Sequence, residues 1–233
     1  MRHLNRWLKA RDSEKDFWSQ KDVKAIKTAV KWENFLKKNF GLTFNFFLSK
    51  NIIEVGCGPY GMIHFVDSHA SVGMDPLLFD TWHDLGKVNA STIHIVAIGE
   101  CLPFRDDVFD VCICFNVLDH SMFPSGVMRE IVRILKPAGE LLLWVNVIYG
   151  SLKVIAPLFN WIDKCHPYHF TFQEVFSLVT RNALEVTSID KKNIGTGNFI
   201  QRFHGSLHVS FKLAVDCLLV FNMFVRARKR QKS

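Results

Sequence analysis

The sequence predicts a doubly wound, mostly parallel α/β sheet with helices on both faces and a helical cap at its amino terminus. Two observations carry that expectation. Short apolar runs repeatedly end in an acid or in turn-forming residues, with segments of helical period between them. The first such run passes directly into Gly56-Cys57-Gly58, a turn that lets a backbone reverse without Cβ clashes. The chain divides accordingly into a cap (1–48), a central α/β domain (49–195) and an apolar segment with a basic tail (196–233).

Taken in order, residues 4–40 space Trp7, Leu8, Phe17, Trp18, Ile26, Val30 and Leu36 by threes and fours between lysines, which predicts two or three amphipathic helices. A break near Gly41 leads to the first strand, Ile52–Val55. Met62–Val66 reads as the first turns of a helix, so the unit is strand, glycine turn, helix. Glu54 is a carboxylate on an otherwise apolar strand, and a buried acid needs a partner or a charged ligand. Ser71–Met74 is a second strand, ending in Asp75 and Pro76. Thr92–Ala97 is a third, followed by Gly99 and Glu100. Phe109–Phe115 is a nearly all-apolar fourth strand, as a central parallel strand should be, and it delivers Asn116, Val117, Asp119 and His120 to the carboxyl edge of the sheet.

Pro124–Leu135 has helical spacing and should end at Pro137 and Gly139, with a fifth strand over Leu141–Val147. His166-Pro167-Tyr168-His169 precedes a helix over Gln173–Thr180 that Thr171 can cap, and Leu184–Ile189 is a further strand. The last 30 residues fit both periods. Leu207, Val209, Phe211 and Leu213 alternate as in a strand, while His208, Lys212 and Asp216 recur every four as on a helix. The apolar run Leu213–Val225 is too short to cross a bilayer. Followed by Arg226–Arg230, it suits a membrane interface, the domain itself or a second subunit.

Composition bounds the function. The length and a hydrophobic content of 48% suit one well-buried domain with an appendage or two. The net charge of +7 belongs to the ends: residues 1–38 carry 11 Lys/Arg against 5 Asp/Glu, and residues 226–233 carry 5 against none. A nucleic-acid groove across the central domain is therefore not expected. Six cysteines without a Cys-x-x-Cys pair read as reduced thiols. No metal site is expected, and the charged opening residues do not resemble a secretory signal. The chain is expected to be cytoplasmic, with peripheral contact to the inner face of the membrane through its last segment. The oligomeric state stays open.

Gly56-x-Gly58-x-x-Gly61 fits a dinucleotide fingerprint as well as other nucleotide-like ligands. The acid before it, with x-Gly-x-Gly behind, resembles the first motif of the class I S-adenosylmethionine-dependent methyltransferases. The resemblance continues through Glu100-Cys101-Leu102-Pro103-Phe104 and Glu130-Ile131-Val132-Arg133-Ile134-Leu135-Lys136-Pro137. The chain departs from the pattern at Ile98, where an acid is usual, and at Ala138, where glycine is usual. The resemblance implies a Rossmann-like domain of the methyltransferase type 11 kind, with S-adenosylmethionine as cofactor. It implies cofactor contacts from Glu54, Gly56, Cys57, Gly58, Asp75, Pro76, Gly99, Glu100, Asn116 and Val117. Asp75 takes the ribose role, and Pro76 with Leu77 the adenine wall. The cap would cover the cofactor and contribute Phe17 and Trp18 to an acceptor pocket. His120 is the first choice of general base, with His166 and His169 behind it. The acceptor is a small molecule, a sugar or a lipid-linked intermediate, most simply methylated on oxygen. A non-catalytic binding or scaffold member of the fold and a nicotinamide-dependent oxidoreductase are the alternatives.

Overall fold

In a computed structural model of the chain, residues 2–19, 25–78, 91–155, 167–193 and 220–231 are described. One sheet organises them, in the order β3-β2-β1-β4-β5-β8-β7. Its first half is parallel and short: β1 (Asn51–Val55), β2 (Ala70–Met74), β3 (Ile93–Ile95) and β4 (Phe109–Phe115). Its second half is long. β5 (Leu135–Ile148) lies parallel to β4, and antiparallel to it runs β8 (Val220–Lys229), which in turn pairs antiparallel with β7 (Leu184–Asn193). A two-residue strand, β6 (Phe170–Thr171), extends the end of β5.

Alternation along the strands sorts side chains onto two faces. Ile53, Val55, Cys112, Cys114, Leu141, Leu143, Met223 and Val225 point to one face. There they meet Val127, Met128, Ile131 and Ile134 of α3 (Pro124–Ile134) and Val175 and Val179 of α4 (Phe172–Thr180). Ile52, Val111, Ile113, Phe115, Leu142 and Phe224 point to the other, against Leu36 and Phe40 of α2 (Ala25–Phe40). The sheet is thus covered on both sides. Thr171 caps α4 in a reciprocal capping box with Glu174. The cap is two helices, α1 (Arg2–Ser19) and α2, and α2 stops before Gly41, whose φ of +66° ends it.

Four expectations need revision. The helix after β1 is a single 3₁₀ turn, Met62–Phe65, because Val66 is already extended on the way to β2. Strand β3 is three residues long, with Val96 and Ala97 outside it. Helix α3 ends at Ile134, and the next strand begins at Leu135, not Leu141, with Ala138 at φ +61° in its irregular start. At the carboxyl end, Val220–Lys229 is an interior strand of the sheet. Phe221, Met223, Phe224, Val225 and Ala227 are buried in it. Arg226 bonds Glu140, and Lys229 bonds Asp107 at 2.6 Å. Over this stretch the apolar run packs on its own domain, and two of its basic side chains are neutralised by protein carboxylates. Residues 194–219 lie outside the described residues. Among the described residues no helix is long and apolar enough to cross a membrane.

Candidate active site

In an open sheet, ligands bind where neighbouring strands lead their connections in opposite directions. Here that place is the carboxyl end of β1 and β4, which are adjacent although β2 and β3 lie between them in sequence. A cleft of about 470 Å³ opens there, a size suited to a small ligand or cofactor.

The glycine turn forms its floor, and its glycines do different jobs. Gly56 sits at φ +74°, and a Cβ there would stand 2.3 Å from Val117 Cγ2. Gly58 sits at φ +49° with nothing within 4 Å of its added Cβ, so its main chain faces open space in the cleft. Asp75 holds this turn in place. One carboxylate oxygen accepts from Gly58 N–H at 3.0 Å and the other from Leu77 N–H at 2.8 Å. Burial pushes its pKa up, opposed by those two hydrogen bonds, and the neighbouring Glu14 pushes the same way as burial. Glu54 is 2% exposed and accepts from Ile63 N–H at 2.7 Å, at the start of the 3₁₀ turn. Burial raises its pKa to about 8, so at neutral pH it holds its proton.

Beneath the turn lies a polar layer absent from the sequence reading. His64 Nε2 meets the Gly58 carbonyl at 2.9 Å, and its Nδ1 meets His94 Nε2 at 3.1 Å with the rings stacked. Burial lowers the pKa of His64 to about 4, so its ring is neutral. Gly73 makes room for this layer, since a Cβ there would stand 3.1 Å from both His94 and Cys57 Sγ. Cys57 is itself buried, and burial drives its thiol far above the ordinary range, which leaves it a space-filling residue.

All ten residues expected at the cofactor line this one cleft, together with Leu77, Ile98 and His120. Glu100 reaches away with one oxygen, which accepts from Met122 and Phe123 N–H at 2.7 and 3.0 Å and so ties the β3 loop to the start of α3. His169 is not among the lining residues; its carbonyl accepts from Lys153. His166 and the side chains of Phe17 and Trp18 lie outside the described residues. The cap instead contributes Trp7, Ala10, Arg11 and Glu14 from α1 and Trp32 from α2. The spacing 7, 10, 11, 14 is one face of a helix, a signal present in the sequence that says a face is covered but not by what. Trp144 of β5 and Phe115 extend the aromatic wall.

His120 is held from two sides. Asn116, in the left-handed region at φ +56°, accepts from Asn146 Nδ2 on its Oδ1 at 2.6 Å, which turns its own Nδ2 toward His120 Nε2 at 3.4 Å. Glu14 Oε1 stands 3.6 Å from Nδ1. An amide N–H₂ only donates, so Nε2 carries a lone pair and the ring proton belongs on Nδ1.

Residues 53–143 match the family model of a methyltransferase domain. Over that stretch the chain is similar to a methyltransferase domain. It is similar to a tRNA U34 carboxymethyltransferase of Nautilia profundicola, at 27% identity over 58% of this chain and 53% of that protein. An uncharacterized methyltransferase of Mycobacterium tuberculosis is 31% identical over 44% of this chain and 42% of its own length. The chain thus spans about half the length of the curated relatives it matches. A structure described as a putative sarcosine dimethylglycine methyltransferase from Galdieria sulphuraria superposes with a TM-score of 0.67 at 13% identity, over 88% of this chain and 87% of that one, which shows the shared fold. The cofactor of this fold family is S-adenosylmethionine. The residues present fit it: an open cradle at Gly58, a carboxylate at Asp75 with lone pairs left for ribose hydroxyls, and a buried carboxyl at Glu54 for a cationic end.

Proposed function

We propose that this chain is an S-adenosylmethionine-dependent methyltransferase that methylates a hydroxyl of a small, flat acceptor, with His120 as general base. The observation that carries the reading is the orientation of His120, whose Nε2 lone pair lies at the cleft that Asp75 and the glycine turn form. When bound, the cofactor supplies a sulfonium methyl group to the acceptor. The chain's own part is to align the partners and keep water out. Asp75 takes the ribose, the Gly56–Gly58 main chain the methionine end, and Pro76, Leu77 and Ile98 the adenine faces. Ile98 has no carboxylate to offer the adenine amino group, so that contact falls to a main-chain carbonyl. Trp7, Trp32 and Trp144 bring aromatic surface to the cleft that His120 also lines, and Phe115 backs Trp32 by stacking on it.

The apolar wall favours a small molecule over a sugar. A lipid-linked acceptor loses the support drawn from the terminal apolar run, whose residues 220–225 are packed in the sheet.

Titration calorimetry with S-adenosylmethionine, S-adenosylhomocysteine and NADH tests the cofactor. Binding of the first two and not the third is expected. Binding of NADH alone, or of none, overturns the reading. Transfer of labelled methyl to a panel of small phenols then tests the acceptor, and a His120→Ala variant with unchanged turnover removes the base.

A further inference from the structure

Helix α1 lays one face over the cleft, and Glu14 is its most deeply reaching acid. Its carboxylate stands 3.6 Å from Nδ1 of His120, with 28% of its side chain exposed and 17% of the histidine's. On the opposite ring nitrogen stands Asn116, whose amide cannot turn over without losing its bond to Asn146. The two contacts agree on one tautomer. The Asn116 donor at Nε2 places the ring proton on Nδ1, and Glu14 stands 3.6 Å from that nitrogen, just beyond hydrogen-bond reach.

We propose that Glu14 is a positioning residue of the methyl transfer, its carboxylate closing to hydrogen-bond distance of the Nδ1 proton of His120 so that Nε2 is the atom that accepts the acceptor's proton. The inference rests on the reading of His120 as the base. In the transfer the new bond joins acceptor oxygen to methyl carbon, and the sulfur keeps the electron pair of the bond it loses. The hydroxyl proton moves to Nε2 as the acceptor oxygen displaces the 3.4 Å Asn116 amide contact, and the resulting imidazolium, a donor at both nitrogens, keeps the Glu14 carboxylate beside Nδ1 until it loses a proton to solvent. The arrangement also makes the cap a part of the chemistry. Without α1 in place the ring loses the partner that fixes its proton.

The test is long-range ¹H–¹⁵N correlation of the His120 ring in the full chain and in its Glu14→Gln and Glu14→Ala variants, with S-adenosylhomocysteine added. The wild-type ring should show an unprotonated Nε2 and a protonated Nδ1. In Glu14→Ala the Nε2–H form should appear in part, since only the long 3.4 Å Asn116 contact then opposes it, and Glu14→Gln, whose side-chain oxygen still accepts, should keep the wild-type pattern. Turnover in the phenol assay should fall by about 10-fold in both, a part of the ~10²-fold that a general base supplies, with calorimetric affinity for S-adenosylhomocysteine unchanged. An identical ring pattern in wild type and Glu14→Ala overturns the role of Glu14. A ring pattern that shifts while turnover holds overturns His120 as base and leaves Glu14 as the residue that sets its tautomer.

Discussion

The two halves of the sheet divide the work of the molecule. From β3 to β4 the strands are three to seven residues long, and their carboxyl ends carry Glu54, Asp75 and Asn116. From β5 to β7 the three main strands run ten to fourteen residues, joined by two long antiparallel ladders, and of their side chains only Trp144 lines the cleft. The first half keeps buried acids whose protonation is displaced by burial. The second half buries Leu141, Leu143, Val145, Met223 and Val225 at under 1% exposure. Both halves are well buried, and the groups that oppose folding sit at the carboxyl ends of the short strands, around the cleft.

The sharpest way to break this division is to damage the long half and watch the cleft. Met223 is fully buried between β5 and β7 on the α3 and α4 face. Met223→Ala removes its contacts and leaves a cavity, and should lower unfolding free energy in urea by about 3 kcal/mol. The folded fraction should bind S-adenosylhomocysteine with unchanged affinity by calorimetry. Weakened binding in step with stability would mean that the halves are one cooperative site.

The converse change is Asp75→Asn. The amide removes the charge that suits two ribose hydroxyls and should weaken S-adenosylhomocysteine by about 2 kcal/mol, roughly 30-fold. Stability should move by no more than about 1 kcal/mol, because one lost hydrogen bond, to Gly58 or Leu77, is offset by not having to bury a carboxylate. A large fall in melting temperature with binding intact would reverse the assignment and make Asp75 a structural brace of the turn.

The same division decides what could be read in the sequence. Around the cleft, chemistry needs particular residue types at fixed intervals, so the acid at Glu54, the turn at Gly56–Gly58, Asp75 and the Asn116–His120 segment were all legible. The long half is held by burial, and burial accepts many sequences. Residues 220–225 become an interior strand only because β5 and β7 pair with both of its edges, and an apolar run with basic residues behind it suits a strand, a helix or an interface equally. The cap was legible as helices and, through the resemblance, as a cover for the site, but not through the residues of α1 that line the cleft. Its 7, 10, 11, 14 face says that something is covered, and only the fold puts His120 opposite Glu14. The helix expected after β1 failed for a local reason. His64 turns inward to meet Gly58 and His94, and the chain leaves the helical path at Val66 to enter β2.

The smallest effect in view is a pH dependence, and its sign separates the two buried layers of the cleft. Glu54 is raised in the folded chain from 4.5 to about 8, so it favours folding fully below pH 4.5, and that contribution is lost as pH rises toward 8. His64 is lowered from 6.5 to about 4, so its contribution is whole above pH 6.5 and is lost as pH falls toward 4. The two slopes oppose each other between pH 4.5 and 6.5. From pH 6.5 to 8 Glu54 acts without that opposition, and stability of the unliganded chain should fall by up to about 1.4 kcal/mol per pH unit, the ceiling for one proton. A cationic ligand end beside Glu54 favours its ionised form, so S-adenosylmethionine should bind more tightly over the same range, with up to one proton released per site. Calorimetry in two buffers of different ionisation enthalpy counts that proton. Glu54→Gln should flatten both profiles. A proton count of zero in the wild type would mean that Glu54 stays protonated beneath the ligand and serves the 3₁₀ turn alone.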